Sequence, residues 1–448
     1  MEHLIEIDLA HRNPSSFDAH HPPDKSLLAD CVHCGFCLPA CPTYVLWGEE
    51  MDSPRGRIYM MHKATEGSAP LDQTFRRHMD NCLGCMACMT ACPSGVQYDK
   101  LIEDARAQVE RNIPRTTEDS LFRKLLFATF PYPARLRALA APLFLYQRSG
   151  LQSLLRWSGL LKLVPDRLAA MEALLPVVPA NFASKIPPRK APVGAARRRV
   201  GMLTGCVQQV FFSHVNSATV RVLAAEGCEV VTPGNQPCCG ALMVHSGLED
   251  QAAAMARRII ELFEQADVDT IVINAAGCGS TMKQYGHLLR DDPQWAGRAR
   301  AFSAKCKDIT EVLCDLPPVA PRHPLPLRIA YHDACHLRHA QGIHRQPRQL
   351  LAAIPGLEVA EIAESSLCCG SAGVYNLLQP EPAQQLGDRK VSHLLAAQAS
   401  AVVSANPGCL LQLMSGLRRR GERSLPAFHM IELLDASIRG VSAQDLLH

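Results

Sequence analysis

The chain lacks the short signatures of nucleotide-binding and acyl-transfer proteins: it contains no G-x-G-x-x-G, no G-x-x-x-x-G-K-[ST] and no Ser-His-Asp signature. A hydride-cofactor fold or a hydrolase is therefore not expected, and no residue is assigned a catalytic role. Met1 to Asp30 mixes acids, histidines and prolines without an apolar core, so export is not expected and a cytoplasmic location is. The longest uncharged run, Leu394 to Leu417, holds Gln398, Asn406, Pro407 and Gly408 and reads as helix, strand and loop rather than a membrane span. Aromatic residues make up only 5% of the chain, too few to build the base-stacking platforms of single-strand nucleic-acid binders. Net charge is low at +3, yet residues 111–200 carry 16 Lys and Arg against 4 Asp and Glu. That +12 leaves −9 for the rest and points the middle of the chain at an anionic membrane surface or an acidic partner.

What is abundant is cysteine, 19 in all. In a chain without an export signal, that number implies metal ligation rather than disulfides. Cys31-Val-His-Cys34-Gly-Phe-Cys37-Leu-Pro-Ala-Cys41-Pro42 and Cys82-Leu-Gly-Cys85-Met-Ala-Cys88-Met-Thr-Ala-Cys92-Pro93 both read C-x-x-C-x-x-C-x-x-x-C-P. This is the run that wraps 4Fe-4S clusters in two-cluster ferredoxins: three thiolates wind round one cluster and the fourth, before proline, reaches the other. One cluster would take Cys31, Cys34, Cys37 and Cys92, and the second Cys82, Cys85, Cys88 and Cys41. Zinc, the plainer alternative, prefers two C-x-x-C pairs to a four-cysteine run present twice.

At about 150 residues per domain the 448-residue chain has room for about three domains. Ser53 before Pro54 is an N-cap followed by proline at the first helical position, Leu71 to Asp80 continues the helical insert between the cysteine runs, and Tyr98 to Glu110 has helical apolar spacing. Residues 1–110 are thus expected to form a helical two-cluster ferredoxin domain. Residues 111–197 are Leu-rich and Arg-studded, as in Leu121 to Phe130 and Leu151 to Trp157, and suggest helices that lie on a membrane or pack on a neighbour. Their proline-rich end, Lys185 to Pro192, reads as a linker.

The second half is an internal duplication. Cys206 is followed by Cys238-Cys239-Gly240 and Cys278, and Cys335 by Cys368-Cys369-Gly370 and Cys409, at intervals of 32 and 39 residues in one copy and 33 and 40 in the other. Apolar runs such as Thr270 to Asn274 and Ala401 to Ser404 alternate with helical stretches, which predicts two parallel-sheet α/β modules, 198–322 and 323–448. Each of these cysteines then falls beyond the carboxyl end of a strand, where such sheets place ligands. Cys228, Cys306 and Cys314 lack such company and read as core thiols. His332 and His336 flank Cys335; either could tune or ligate a cluster or move a proton, with packing in the core as the plainer reading.

These motifs together resemble the iron-sulfur subunit of glycolate oxidase across nearly the whole chain, and share their layout with iron-sulfur subunits of anaerobic glycerol-3-phosphate dehydrogenase, lactate-utilisation complexes and heterodisulfide reductases. The resemblance implies FAD-containing partner subunits that oxidise a 2-hydroxy acid such as glycolate, with this subunit passing electrons toward a membrane quinone or another acceptor; a peripheral place on the inner face of the cell membrane is the accompanying expectation. It places the family's cluster ligands on Cys31, Cys34, Cys37, Cys41, Cys82, Cys85, Cys88 and Cys92. Heterodisulfide reductase modules end in C-x-x-C, whereas Thr281 and Gln412 stand at those positions here. Disulfide cleavage is therefore the alternative rather than the leading expectation. A third cluster on Cys335, Cys368, Cys369 and Cys409 is favoured over one on Cys206, Cys238, Cys239 and Cys278.

Overall fold

In the computed structural model, which describes residues 14–180, 186–422 and 424–447, the polypeptide divides into two compact units. The first, residues 1–116 with 245–248, contains helices and loops and no strand among its described residues. Its α-helices run Lys25–Ala29, Pro42–Trp47, Pro54–Thr65, Gln73–Asn81, Ala87–Ala91 and Tyr98–Asn112. The Pro54–Thr65 helix begins where the sequence predicts: the Gly56 N–H donates to Ser53 Oγ at 3.0 Å, and Pro54 needs no partner for a missing N–H. Gly56 is required there, since a Cβ would lie 2.0 Å from the Glu50 carbonyl oxygen. The lead-in before Pro14 lies outside the described residues.

The second unit carries two sheets. In the first, β1 (Arg189–Lys190), β2 (Arg198–Met202), β3 (Cys228–Val231), β4 (Thr270–Ile273) and β5 (Cys306–Asp308) lie in the order β1-β3-β2-β4-β5. In the second, β6 (Arg328–His332), β7 (Glu358–Ala360), β8 (Ala401–Ser404) and β9 (Ala427–His429) lie in the order β7-β6-β8-β9. Apart from β1, every pairing is parallel and the two registers correspond: Val200 pairs with Val230 and Thr270, as Ile329 pairs with Val359 and Ala401. β4 and β8 are buried along their whole length because helices cover both faces, as parallel strands require.

Two differences from expectation stand out. The supposed linker contributes β1, whose Arg189 and Lys190 pair antiparallel with Val231 and Val230, so the first sheet is mixed. Composition hides this strand because an exposed edge tolerates charge and flanking prolines. Each sheet also gains a short fourth parallel strand, β5 or β9, that the sequence reading did not include. Each leads into a helix through a capping box, Asp308 with Glu311 and His429 with Glu432.

The Leu-rich helices Thr117–Thr129, Pro133–Arg148, Leu151–Ser158 and Asp166–Ala173 belong to this unit. Leu136, Ala140 and Val178 enter one apolar core with both sheets, while Leu121, Leu125, Leu145, Leu154, Leu163 and Trp157, which is 85% exposed, stay bare. No helix among the described residues is long and apolar enough to cross a membrane.

Candidate metal centres

The two four-cysteine runs fold into matching loops. In each, the third and fifth residues are left-handed: His33 (φ 54°) and Gly35 (φ 90°) in one, Gly84 (φ 62°) and Met86 (φ 61°) in the other. Left-handed turns at this spacing bend the backbone so that successive thiols point inward, at a cost of about 1–2 kcal/mol for each non-glycine. Cys41 and Cys92, the fourth of each run, sit at helix boundaries beside Pro42 and Pro93.

The thiols fall into two neighbourhoods. Burial pushes the Cys31 thiol up, and Cys92 and Cys34 add to this. Burial likewise pushes Cys88 well up, and Cys85, Cys82, Cys41 and Cys37 add to this. Cys92 thus acts on Cys31 of the other run and Cys41 on Cys88 of the other run, while Cys37 also feels Cys41. Cys34 is exposed and Cys31, Cys37 and Cys92 half-buried, whereas Cys41, Cys82, Cys85 and Cys88 are all buried.

The buried group is lined with positive charge and donors. Arg57, wholly buried, donates to His78 O at 2.7 Å, Asp52 O at 2.6 Å and Asp52 Oδ1 at 2.9 Å. Arg106 donates to the backbone oxygens of Met79 and Cys82. Burial alone would raise the Cys82 thiol, but the Arg57 and Arg106 guanidiniums reverse this and hold it below its ordinary value. The Gly84 N–H and Tyr98 Oη point at Cys82 Sγ from 3.4 and 3.6 Å. A buried cationic nest around converging thiols suits an anionic cluster. Arg57, Arg106 and Tyr98 carry no sequence signal, because their relevance depends on helix packing.

In the first cysteine-rich module, Cys206 lies past β2, Cys238 and Cys239 past β3, and Cys278 in the helix after β4. The side chains touch in the series Cys206, Cys238, Cys239, Cys278. Cys335, Cys368, Cys369 and Cys409 repeat the series, with the Sγ atoms of Cys335 and Cys368 3.8 Å apart. The second module adds three polar side chains. His332, at the end of β6, has a ring nitrogen that, with Cys369 Sγ and Cys409 Sγ, forms a set of atoms all within 4.8 Å of one another. Asn406 Nδ2 donates to Cys409 Sγ at 3.3 Å. Lys390 is buried beside Cys369 and Cys368, donating to Glu364 O.

His332 is fully buried, and its ring interacts with the Cys369 thiol, helping to hold that thiol below its ordinary value. His336 turns its Nδ1 toward Cys335 Sγ at 3.6 Å. Gln412 is occupied structurally, donating to Ala383 O at 2.8 Å and accepting from Asn376 at 3.0 Å. Cys228 and Cys306 are buried within strands and Cys314 is half-buried.

A family profile described as 4Fe-4S dicluster domain matches residues 27–96. One described as glycolate oxidase iron-sulfur subunit, linker region, matches 118–175, and a cysteine-rich domain profile matches twice, at 200–283 and 329–414. The chain is 41% identical over 421 residues to the probable glycolate oxidase iron-sulfur subunit of Bacillus subtilis (strain 168), covering 92% of this chain and 94% of that one. It is 34% identical over 425 residues to the glycolate oxidase iron-sulfur subunit of Escherichia coli (strain K12), with coverages of 92% and 95%. Lactate utilization protein A of Exiguobacterium sp. is 32% identical over 241 residues, 54% of this chain and 98% of that one.

Proposed function

Because the chain belongs to the family of glycolate oxidase iron-sulfur subunits, we propose that it carries electrons from FAD-bearing partner subunits, which oxidise glycolate or a related 2-hydroxy acid, toward a membrane quinone. The observation that carries this reading is the pairing of a surface set of thiols with a buried one. Cys31, Cys34, Cys37 and Cys92 would hold one 4Fe-4S cluster and Cys82, Cys85, Cys88 and Cys41 the other, with a third centre in the second cysteine-rich module. Such clusters supply one-electron oxidation and reduction, with no proton or hydride of their own.

The chain's residues set the conditions for that transfer. Arg57, Arg106, Tyr98 and the Gly84 N–H stabilise negative charge gathered on the buried set. Beside exposed Cys34, the side chains of Val32 and Phe36 are two-thirds exposed and give a partner subunit an apolar lip to seat against. The bare leucines and Trp157 of the basic helical segment support attachment to the inner face of an anionic membrane. Thiol–disulfide chemistry at the Cys-Cys-Gly loops is disfavoured, since Cys238, Cys239, Cys368 and Cys369 are buried away from any disulfide substrate.

Replacing Cys85 by Ala in the assembled complex tests the reading. Substrate should still bleach the partner flavin while acceptor reduction falls at least about 100-fold. Undiminished acceptor reduction would mean that electrons do not pass through these thiols.

A further inference from the structure

We infer that His332 is a protein ligand of the metal centre in the second cysteine-rich module, completing with Cys335, Cys368, Cys369 and Cys409 a set of four sulfurs and one nitrogen. The inference rests on the reading that this module holds an iron-sulfur centre.

The side chain is fully buried, and what its ring meets is sulfur: it interacts with the Cys369 thiol and has no oxygen or nitrogen partner within hydrogen-bond distance. A thiol is a weak hydrogen-bonding group, so a polar ring buried against thiols alone is better satisfied by a metal shared with them. The atoms facing it are the sulfurs of Cys369 and Cys409, and the three donors lie within 4.8 Å of one another. Donors so close can share one metal ion, whose bonds to nitrogen and sulfur run about 2.0–2.3 Å. A neutral imidazole binds metal through a ring nitrogen lone pair. Five donors are one more than the corners of a four-iron cubane take.

The duplication supplies an internal control. The matched registers place Val200 opposite Ile329, so Leu203 occupies the position of His332. Leu203 is buried and brings no donor, so the scaffold itself does not demand histidine there. The buried cation is also particular to the second module. Gly240 and Gly370 pack on Ala252 and Ala383 respectively, which aligns Lys390 with Ile259. His336 is the natural comparison residue: it neighbours Cys335 but lies outside the group of three donors.

The test is pulsed EPR on the complex, prepared anaerobically from cells supplied with 15N-histidine and reduced until the second-module signal appears. That signal should carry the hyperfine coupling of a directly bound imidazole nitrogen. The coupling should vanish in His332→Leu and persist in His336→Leu. A native second-module signal without bound-nitrogen coupling, or a coupling that survives in His332→Leu, would overturn the inference. If His332→Leu fails to assemble, the native spectrum and His336→Leu decide: the inference stands only if both show the coupling. Iron analysis of Cys369→Ser separates this from the parent reading. Loss of about four irons without nitrogen coupling in the native protein defeats the histidine ligand alone, whereas unchanged iron defeats both.

Discussion

The two cysteine-rich modules share a sheet order, a register and a four-thiol series, yet what surrounds the thiols differs. His332, Lys390 and Asn406 stand near the sulfurs of the second; Leu203, Ile259 and Ala275 hold the matching places in the first. The same sheet edge and sulfurs thus stand in two different polar surroundings, and the Gly240 N–H is the donor that meets a sulfur in the first, at 3.4 Å from Cys238 Sγ. The first module instead secures its loop structurally, with Tyr285 Oη donating to Cys239 O at 2.6 Å. Four converging cysteines do not by themselves distinguish the modules; their companions do.

The largest expected difference concerns metal. Cys369→Ser should remove about four irons per chain from the anaerobically purified complex and Cys239→Ser none, measured as iron and acid-labile sulfide. Equal losses would erase the distinction between the modules. The glycines after the paired cysteines come next. Gly370 (φ 88°) and Gly240 (φ 84°) are both left-handed, but a Cβ would lie 2.4 Å from Ala383 O in the second module and 3.2 Å from Ala252 O in the first. Gly370→Ala should cost about 4 kcal/mol and Gly240→Ala about 2 kcal/mol in denaturant unfolding, the excess being overpacking against backbone.

The residues that cap the helices after β5 and β9 should respond to pH in opposite directions. His429 Nδ1 accepts from the Ile431 N–H at 3.3 Å, and burial pushes its pKa from 6.5 down to about 4. The folded state thus binds fewer protons there than the unfolded state between those values, so stability is lost as pH falls. From pH 7 to 5 this residue should cost about 2 kcal/mol, read as the difference between native and His429→Asn proteins, because burial also raises Glu432 of the same cap to about 7 and its contribution grows over the same range. Burial pushes Asp308 up from 3.8 to about 6, so its contribution weakens instead as pH rises through that window. Unfolding curves with the same acid slope in native and His429→Asn proteins would contradict the assignment. Smallest of all, Lys390→Met should shift the second-module potential about 40 mV negative, corresponding to about 1 kcal/mol of lost charge stabilisation, while Ile259→Met changes nothing in a redox titration.

Much of this was legible in the sequence because it is local or periodic. The Cys31 and Cys82 runs, the helix beginning at Ser53-Pro54, and strands such as Thr270–Ile273 and Ala401–Ser404 depend on neighbours a few residues away. The doubled spacing from Cys206 and Cys335 exposed the duplication directly. What stayed hidden depends on distant packing. Lys390 looks like any lysine in an amphipathic helix until that helix folds over the Cys368–Cys369 loop. Arg189 and Lys190 look like linker residues until Val230 and Val231 offer them an edge. His332 was visible as a neighbour of Cys335, but only the end of β6 turning toward Cys409 separates it from His336.

The most direct test of the account is freeze-quench EPR of the anaerobically purified complex mixed with its 2-hydroxy-acid substrate. Signals from this chain's iron centres should grow in on the timescale of turnover and decay when the acceptor is added. Full turnover by a complex whose chain is colourless and zinc-filled, with no iron signal at any time, would contradict it.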